Sequence, residues 1–216
     1  DYRGGFTPPR TGNDPTMSIL TDGTVLIPAN YQGQQAFDGK LSQEQLQDLL
    51  RYMVVEGELI PLEVGKPQKP AGPRGPVVVD GATTSIFLHV DGKKHTSVLP
   101  PTLISNAPDK VSREQKFLLA KARLEQIRST IQLGGEKRLQ EWLERANAQL
   151  KAQHPDAAPL TAADLQGGGE RADGSTYVQF GRQVSDKKNG STVVTSVFIN
   201  QPAQGEARVS VTHVKR

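Results

Sequence analysis

Short apolar runs flank two Asp-Gly pairs, and further along the chain apolar positions recur at a spacing of three and four. Met17-Ser18-Ile19-Leu20-Thr21 leads into Asp22-Gly23, and Ile86-Phe87-Leu88-His89-Val90 leads into Asp91-Gly92. Asp-Gly between apolar runs predicts a tight hairpin, because Gly takes positive φ without steric cost and Asp tolerates it better than most residues. Beyond each hairpin Ser-x-Glu-Gln opens a helical pattern, at Ser42-Gln43-Glu44-Gln45 and at Ser112-Arg113-Glu114-Gln115. Ser followed three residues later by Gln is a capping box, in which each side chain satisfies a backbone N–H at the helix start. The Asp-to-Ser spacing is 20 residues in one copy and 21 in the other. A hairpin-plus-helix unit is therefore expected twice, and neither copy buries its apolar face unaided, which predicts a shared core.

The first copy predicts strands at 16–21, 24–28 and 35–40, then a helix over 42–56 with Leu46, Leu49, Leu50, Met53 and Val54 on one face and Gly57 as its C-terminal cap. The second predicts strands at 83–90 and 93–99 and a helix from 112 with a narrow stripe of Phe117, Ala120, Leu124, Ile127 and Ile131. Gly134-Gly135 interrupts that helix, since two glycines cost about 2 kcal/mol in a helix interior. The stripe resumes over 136–153 with Leu139, Trp142, Leu143, Ala146 and Leu150, and the two helices are expected as an antiparallel pair. The C-terminal part reads as β, at 175–184, 192–200 and 207–214, with Asn189-Gly190 as a further hairpin signal. Val193, Thr195, Val197 and Ile199 alternate with Val194, Ser196 and Phe198, which predicts a middle strand buried on both faces.

The fold class expected is α+β, with antiparallel hairpins packed on amphipathic helices and a C-terminal antiparallel β region. Its predicted organisation is an irregular segment over 1–15 pinned by Tyr2 and Phe6, hairpin-helix units over 16–62 and 83–153, and a β region over 175–216. A Pro/Gly-rich linker joins the units over 63–82, where Lys66-Pro67-Gln68-Lys69-Pro70-Ala71-Gly72-Pro73 breaks every period. A connector is expected over 154–174, with one helical turn near 161–165 before Gly167-Gly168-Gly169.

Composition narrows the function. Of 216 residues 35% are hydrophobic and 5% aromatic, so the 21 Gly and 15 Pro imply a chain rich in turns around a modest core. The net charge of +3 balances 26 basic against 23 acidic residues, which gives no field suited to nucleic acid. Absence of cysteine excludes disulfides, thiol catalysis and thiolate metal sites. No apolar run is long enough to span a bilayer, and a chain opening at Asp1 is expected to be either a mature chain after export, the more economical reading, or an excised fragment.

Candidate chemistry is sparse. A two-residue loop at Asp91-Gly92 pairs His89 with Lys94 and sends His95 to the opposite face, which argues against a metal site there. Asp14, Asp22, Asp38, Asp80 and Asp91 lie beside Gly or Pro, where Asp serves turns. Neither Gly4-Gly5 nor the 167–169 run has the strand-to-helix setting of a phosphate loop, and no nucleophile elbow occurs. No catalytic, cofactor-binding or metal-ligating residue is assigned, and no cofactor is expected. The candidate partner contacts are Phe117, Leu124, Ile131 and Trp142 on the helical stripes, and Gln201 and Gln204 in the loop between the last two strands. Gln201-Pro202-Ala203-Gln204-Gly205 resembles the hairpin loops that small α+β inhibitors insert into protease clefts.

Gly4-Gly5-Phe6, Asp22-Gly23-Thr24-Val25 and Leu41-Ser42 with Gln45-Leu46-Gln47-Asp48-Leu49-Leu50 resemble a group of exported proteins of planctomycete-type bacteria, with a looser echo over 83–133. That resemblance implies export to the periplasm, cell surface or medium and a repeated strand-turn-strand-helix build; it supplies no catalytic residue. The function expected is a non-catalytic interaction or structural module, a subunit of a larger envelope or extracellular assembly whose partners are other protein chains. The alternatives are an extracellular hydrolase whose carboxylates and histidines converge only in the fold, and an inhibitor or ligand-binding module using the 201–205 loop.

Overall fold

A computed structural model of the chain describes residues 2–3, 15–29, 36–57, 59, 83–90, 92–99, 113–171, 173–185 and 191–215. The protein is α+β. In chain order its elements are β1 (Tyr2–Arg3), β2 (Ser18–Ile19), β3 (Thr24–Ile27), β4 (Phe37–Lys40), α1 (Gln43–Arg51), β5 (Thr83–Val90), β6 (Lys93–Leu99), α2 (Arg113–Gln132) and α3 (Glu136–Gln153). Four strands follow: β7 (Leu165–Glu170), β8 (Thr176–Ser185), β9 (Thr192–Gln201) and β10 (Arg208–Lys215). The predicted linker over 63–82, the Ser112 cap and the Asn189-Gly190 turn lie outside the described residues.

The chain divides into two compact units, Asp1–Gly23 with Lys40–Ala122, and Thr24–Gly39 with Arg123–Arg216. The boundary runs through α2, not through a connector near 154–174.

In the first unit Gly23 takes φ +86°, donates to the Leu20 carbonyl at 3.0 Å and accepts from the Leu41 N–H at 2.9 Å. The predicted capping box is present: the Gln45 N–H donates to Ser42 Oγ at 3.1 Å, and the Ser42 N–H donates to Gln45 Oε1 at 2.8 Å. Leu46, Leu49 and Met53 are buried, as their spacing predicts. Val54 is exposed instead, because the last turn, Tyr52–Glu56, widens to a π-turn closed by a 2.7 Å bond from the Gly57 N–H to the Tyr52 carbonyl. Widening by one residue rotates the end of the apolar stripe. Gly57 keeps right-handed φ of −77°; its missing Cβ serves close approach, since one there would lie 3.2 Å from the Met53 carbonyl oxygen. Within the predicted irregular segment Tyr2 and Arg3 pair with Thr84 and Thr83, giving an antiparallel sheet β1-β5-β6, and residues 4–14, with Phe6, lie outside the described residues. Ser97 Oγ on β6 donates to the Leu59 carbonyl at 2.8 Å. Phe117 and Ala120 are buried on α2.

In the second unit the antiparallel sheet β10-β9-β8-β7 carries α3 on one face. Leu139, Trp142, Leu143, Ala146 and Leu150 meet Val178 and Phe180 of β8 and Val197 and Ile199 of β9 in one core. The apolar stripe of α3 is therefore satisfied by the sheet, which corrects the expected pairing with α2. Gly134 and Gly135, at φ +90° and +92°, make the break that lets α3 turn onto it. The middle strand is buried on one face only: Thr195, Val197 and Ile199 face the core, whereas Phe198 is 37% exposed. A sheet covered by one helix on one side leaves its second face to solvent.

The expected connector holds the remaining elements of that core. Asn147 on α3 clamps Leu160 from both sides, donating to its carbonyl at 2.9 Å and accepting its N–H at 2.7 Å. Leu160 is buried, a single 3₁₀ turn spans Ala162–Asp164, and the glycine run forms β7. A Cβ on Gly168 would stand 2.8 Å from Leu133 Cδ1, so glycine lets the core approach the strand backbone. On the other side of the sheet register, a Cβ on Gly181 would stand 2.7 Å from the Gln166 amide, which donates to the Gly181 carbonyl at 3.1 Å.

Candidate interaction surface

β10 is the outermost strand of the C-terminal sheet. Its eight residues pair with β9 from Arg208↔Asn200 to Lys215↔Val193 without a bulge. Among the described residues no strand pairs with its outer side. Val209, Val211 and His213 turn toward the α3 side, while Arg208, Ser210, Thr212 and Val214 are exposed. Arg208 and Lys215 place a positive charge at either end of a run that contains no proline and no other cation.

The open face beside that edge has an apolar centre in Phe198, between Gln179 on β8 and Ser210 on β10. Above it, the Arg171 guanidinium lies 4.8 Å from the centre of the Tyr177 ring. Arg171 Nη1 also donates to Asn200 Oδ1 at 3.0 Å and to Ser175 Oγ at 3.4 Å. These contacts fix one end of the face and the turn between β7 and β8. In that turn Asp173 Oδ1 accepts from the Ser175 hydroxyl at 2.6 Å and from its N–H at 2.9 Å. Those two bonds, with the nearby Arg171 charge, hold the Asp173 carboxyl below its ordinary value of 3.8.

The loop between β9 and β10 lies at the same end of the sheet. A Cβ on Gly174 would be 3.4 Å from Ala203 Cβ, so the two hairpin loops touch. Gln201 shapes its loop from within: its amide donates to the Gly205 carbonyl at 2.9 Å and to the Pro202 carbonyl at 3.2 Å, and its Oε1 accepts from Arg145 Nη1 at 3.3 Å. Gly205, at φ +102°, closes the turn. Gln204 is exposed at the tip.

Of the other contact candidates, Trp142 is 7% exposed and belongs to the core between α3 and the sheet. Phe117, at 3%, is equally interior to the first unit. An apolar stripe marks a buried face without saying what covers it, and for both residues the cover is within the chain. Leu124 and Ile131 are half-buried, and Ile131 Cγ1 lies 2.8 Å from where a Cβ on Gly39 would stand, so it packs on β4.

The histidines separate as the register demands. His89 pairs with Lys94 and His95 with Leu88, which puts them on opposite faces of the hairpin. His154 and His213, far apart in sequence, meet at the end of α3 with ring centroids 5.1 Å apart. Sequence spacing gave no sign of that pair, since it depends on how α3 lies along β10. Among the described residues no three His, Cys, Asp or Glu side chains converge as a metal-binding group, and no helix is long and apolar enough to cross a membrane.

Comparison with protein-family models, with curated proteins and with solved structures finds no match to this chain.

Proposed function

We propose that the protein is a non-catalytic interaction module of an exported, multi-chain assembly, and that it engages its partner by strand addition at β10. The observation that carries this reading is the outer edge of β10, with which no strand pairs among the described residues. Such an edge offers a row of backbone donors and acceptors to an extended segment, and natural proteins usually guard it with bulges, proline or central charges. Here the charges sit only at the ends, on Arg208 and Lys215, so the matching occupant is an extended polypeptide segment with acidic residues at its flanks. Phe198, exposed on the adjoining strand, offers apolar contact to alternate side chains of that segment. The resemblance of the N-terminal part to exported proteins supports the location.

Native mass spectrometry of the protein isolated from its own source tests the proposal. The expected result is a mass above the chain's own 23.4 kDa with a second polypeptide present, and slowed amide exchange over 208–215 in that complex. A 23.4 kDa monomer, or a complex in which exchange over 208–215 is unchanged, would overturn it. A second reading, an inhibitor or ligand-binding module, is favoured by the contact between the two hairpin loops at Gly174 and Ala203. In that case protection would fall on 171–175 and 201–205 instead.

A further inference from the structure

His154 is the C-terminal cap of α3; its N–H donates to the Leu150 carbonyl at 2.7 Å. His213 stands on the α3 side of β10, directly opposite Thr195 of β9. The two imidazole centroids are 5.1 Å apart and the ring planes are inclined at 44°. Two imidazoles bound to one tetrahedral zinc at Zn–N distances of about 2.0–2.1 Å place their centroids about 5 Å apart. A tilted pair at this separation fits a shared ion as well as ordinary ring packing.

The ring of His213 is held from its other side. Thr195 is 2% exposed, and its Oγ1 lies 2.9 Å from His213 Nδ1. With Thr195 accepting the Nδ1–H, the lone pair of His213 is on Nε2. Metal-bound histidines are commonly fixed in this way through their other ring nitrogen. Among the described residues no hydrogen bond holds the His154 ring. The two rings come from a helix end and an edge strand that are otherwise joined only by packing.

We infer that His154 and His213 form a two-histidine site for a borderline divalent cation of the zinc, copper or nickel class. His213 binds through Nε2. Water, or a side chain of a partner, completes the shell, because the described residues supply two ligands. Imidazole pairs select such cations over magnesium and calcium, which require oxygen ligands. The bound ion ties the end of α3 to β10, the strand with the open edge.

Titration of the chelator-stripped protein with zinc, read by the ¹⁵N shifts of the imidazole nitrogens, tests the site on the unaltered chain. The expected result is a shift of His213 Nε2 and of one His154 nitrogen, with His89 and His95 unmoved. His154→Asn, at a half-buried helix end where Asn is well tolerated, should weaken binding at least about tenfold, and Thr195→Val by about 10–100-fold. Unshifted His154 and His213 nitrogens at millimolar zinc, or equal affinity in His154→Asn, would overturn the assignment. Magnesium at the same concentration should leave all four histidines unmoved; matching shifts with magnesium would also overturn it.

Discussion

A methyl group on Gly168 would press on Leu133, whereas one on the neighbouring Gly167 meets nothing within 4 Å. The two positions therefore answer one substitution differently. Gly168→Ala must displace Leu133 or shift β7, at about 1–3 kcal/mol. Gly167→Ala should stay within about 0.5 kcal/mol of the parent. Urea denaturation followed by circular dichroism measures both, and equal midpoints would mean that Leu133 does not rest on the strand. Asp173 offers a titration. Its carboxyl is depressed first by the Ser175 hydroxyl, then by the Ser175 N–H, with Arg171 adding charge. A folded value lower than the unfolded one means the charged form is favoured by the fold. That contribution is complete above the ordinary 3.8 and is lost as pH falls through the folded value. Carbon-detected NMR should find the Asp173 midpoint below 3.8, and Ser175→Ala should raise it. An unmoved midpoint would remove the Ser175 hydroxyl as its cause.

At the scale of elements, α3 and the sheet depend on one another through Trp142. Trp142→Ala empties the middle of their shared face and should cost about 3–5 kcal/mol, seen as a lower denaturation midpoint by near-ultraviolet dichroism. A loss under about 1 kcal/mol would place the indole outside the core. The periodicity of α3 was plain in the sequence, as were the Asp-Gly hairpins, the Ser42 cap and the strands β8 to β10. Each of those signals is local: a turn residue, a cap, a repeat of two or of three and four. The elements that escaped are those fixed by distant partners. Gly167-Gly168-Gly169 has little strand propensity, and becomes β7 because β8 pairs with it and Leu133 fills the space side chains would take. The π-turn after α1 and the single buried face of β9 likewise follow from what packs against them. Of the candidate surface, the loop carrying Gln201 and Gln204 was legible in the sequence as a connection between two strands, but the outer edge of β10 and the His154–His213 contact arise only once strand order is known.

For the molecule as a whole, the order of strands in the C-terminal sheet sets where stability concentrates. β8 and β9 are bonded on both sides, β7 and β10 on one. Native-state hydrogen exchange should accordingly be slowest at Val178, Phe180, Val197 and Ile199, which are fully buried, and faster along β10. Uniform exchange across the four strands would contradict that gradient. The same sheet also has a history in time. Every strand in it pairs with the one next to it in the chain, and the turns are short, as between Ser185 and Thr192. The pairing of Tyr2 with Thr84 instead closes a loop of about 80 residues, and the entropy of closure rises with the logarithm of loop length. Local pairings form early and distant ones late. Closing the C-terminal sheet therefore costs less chain entropy than docking the N-terminal strand, and the sheet is expected to take shape first.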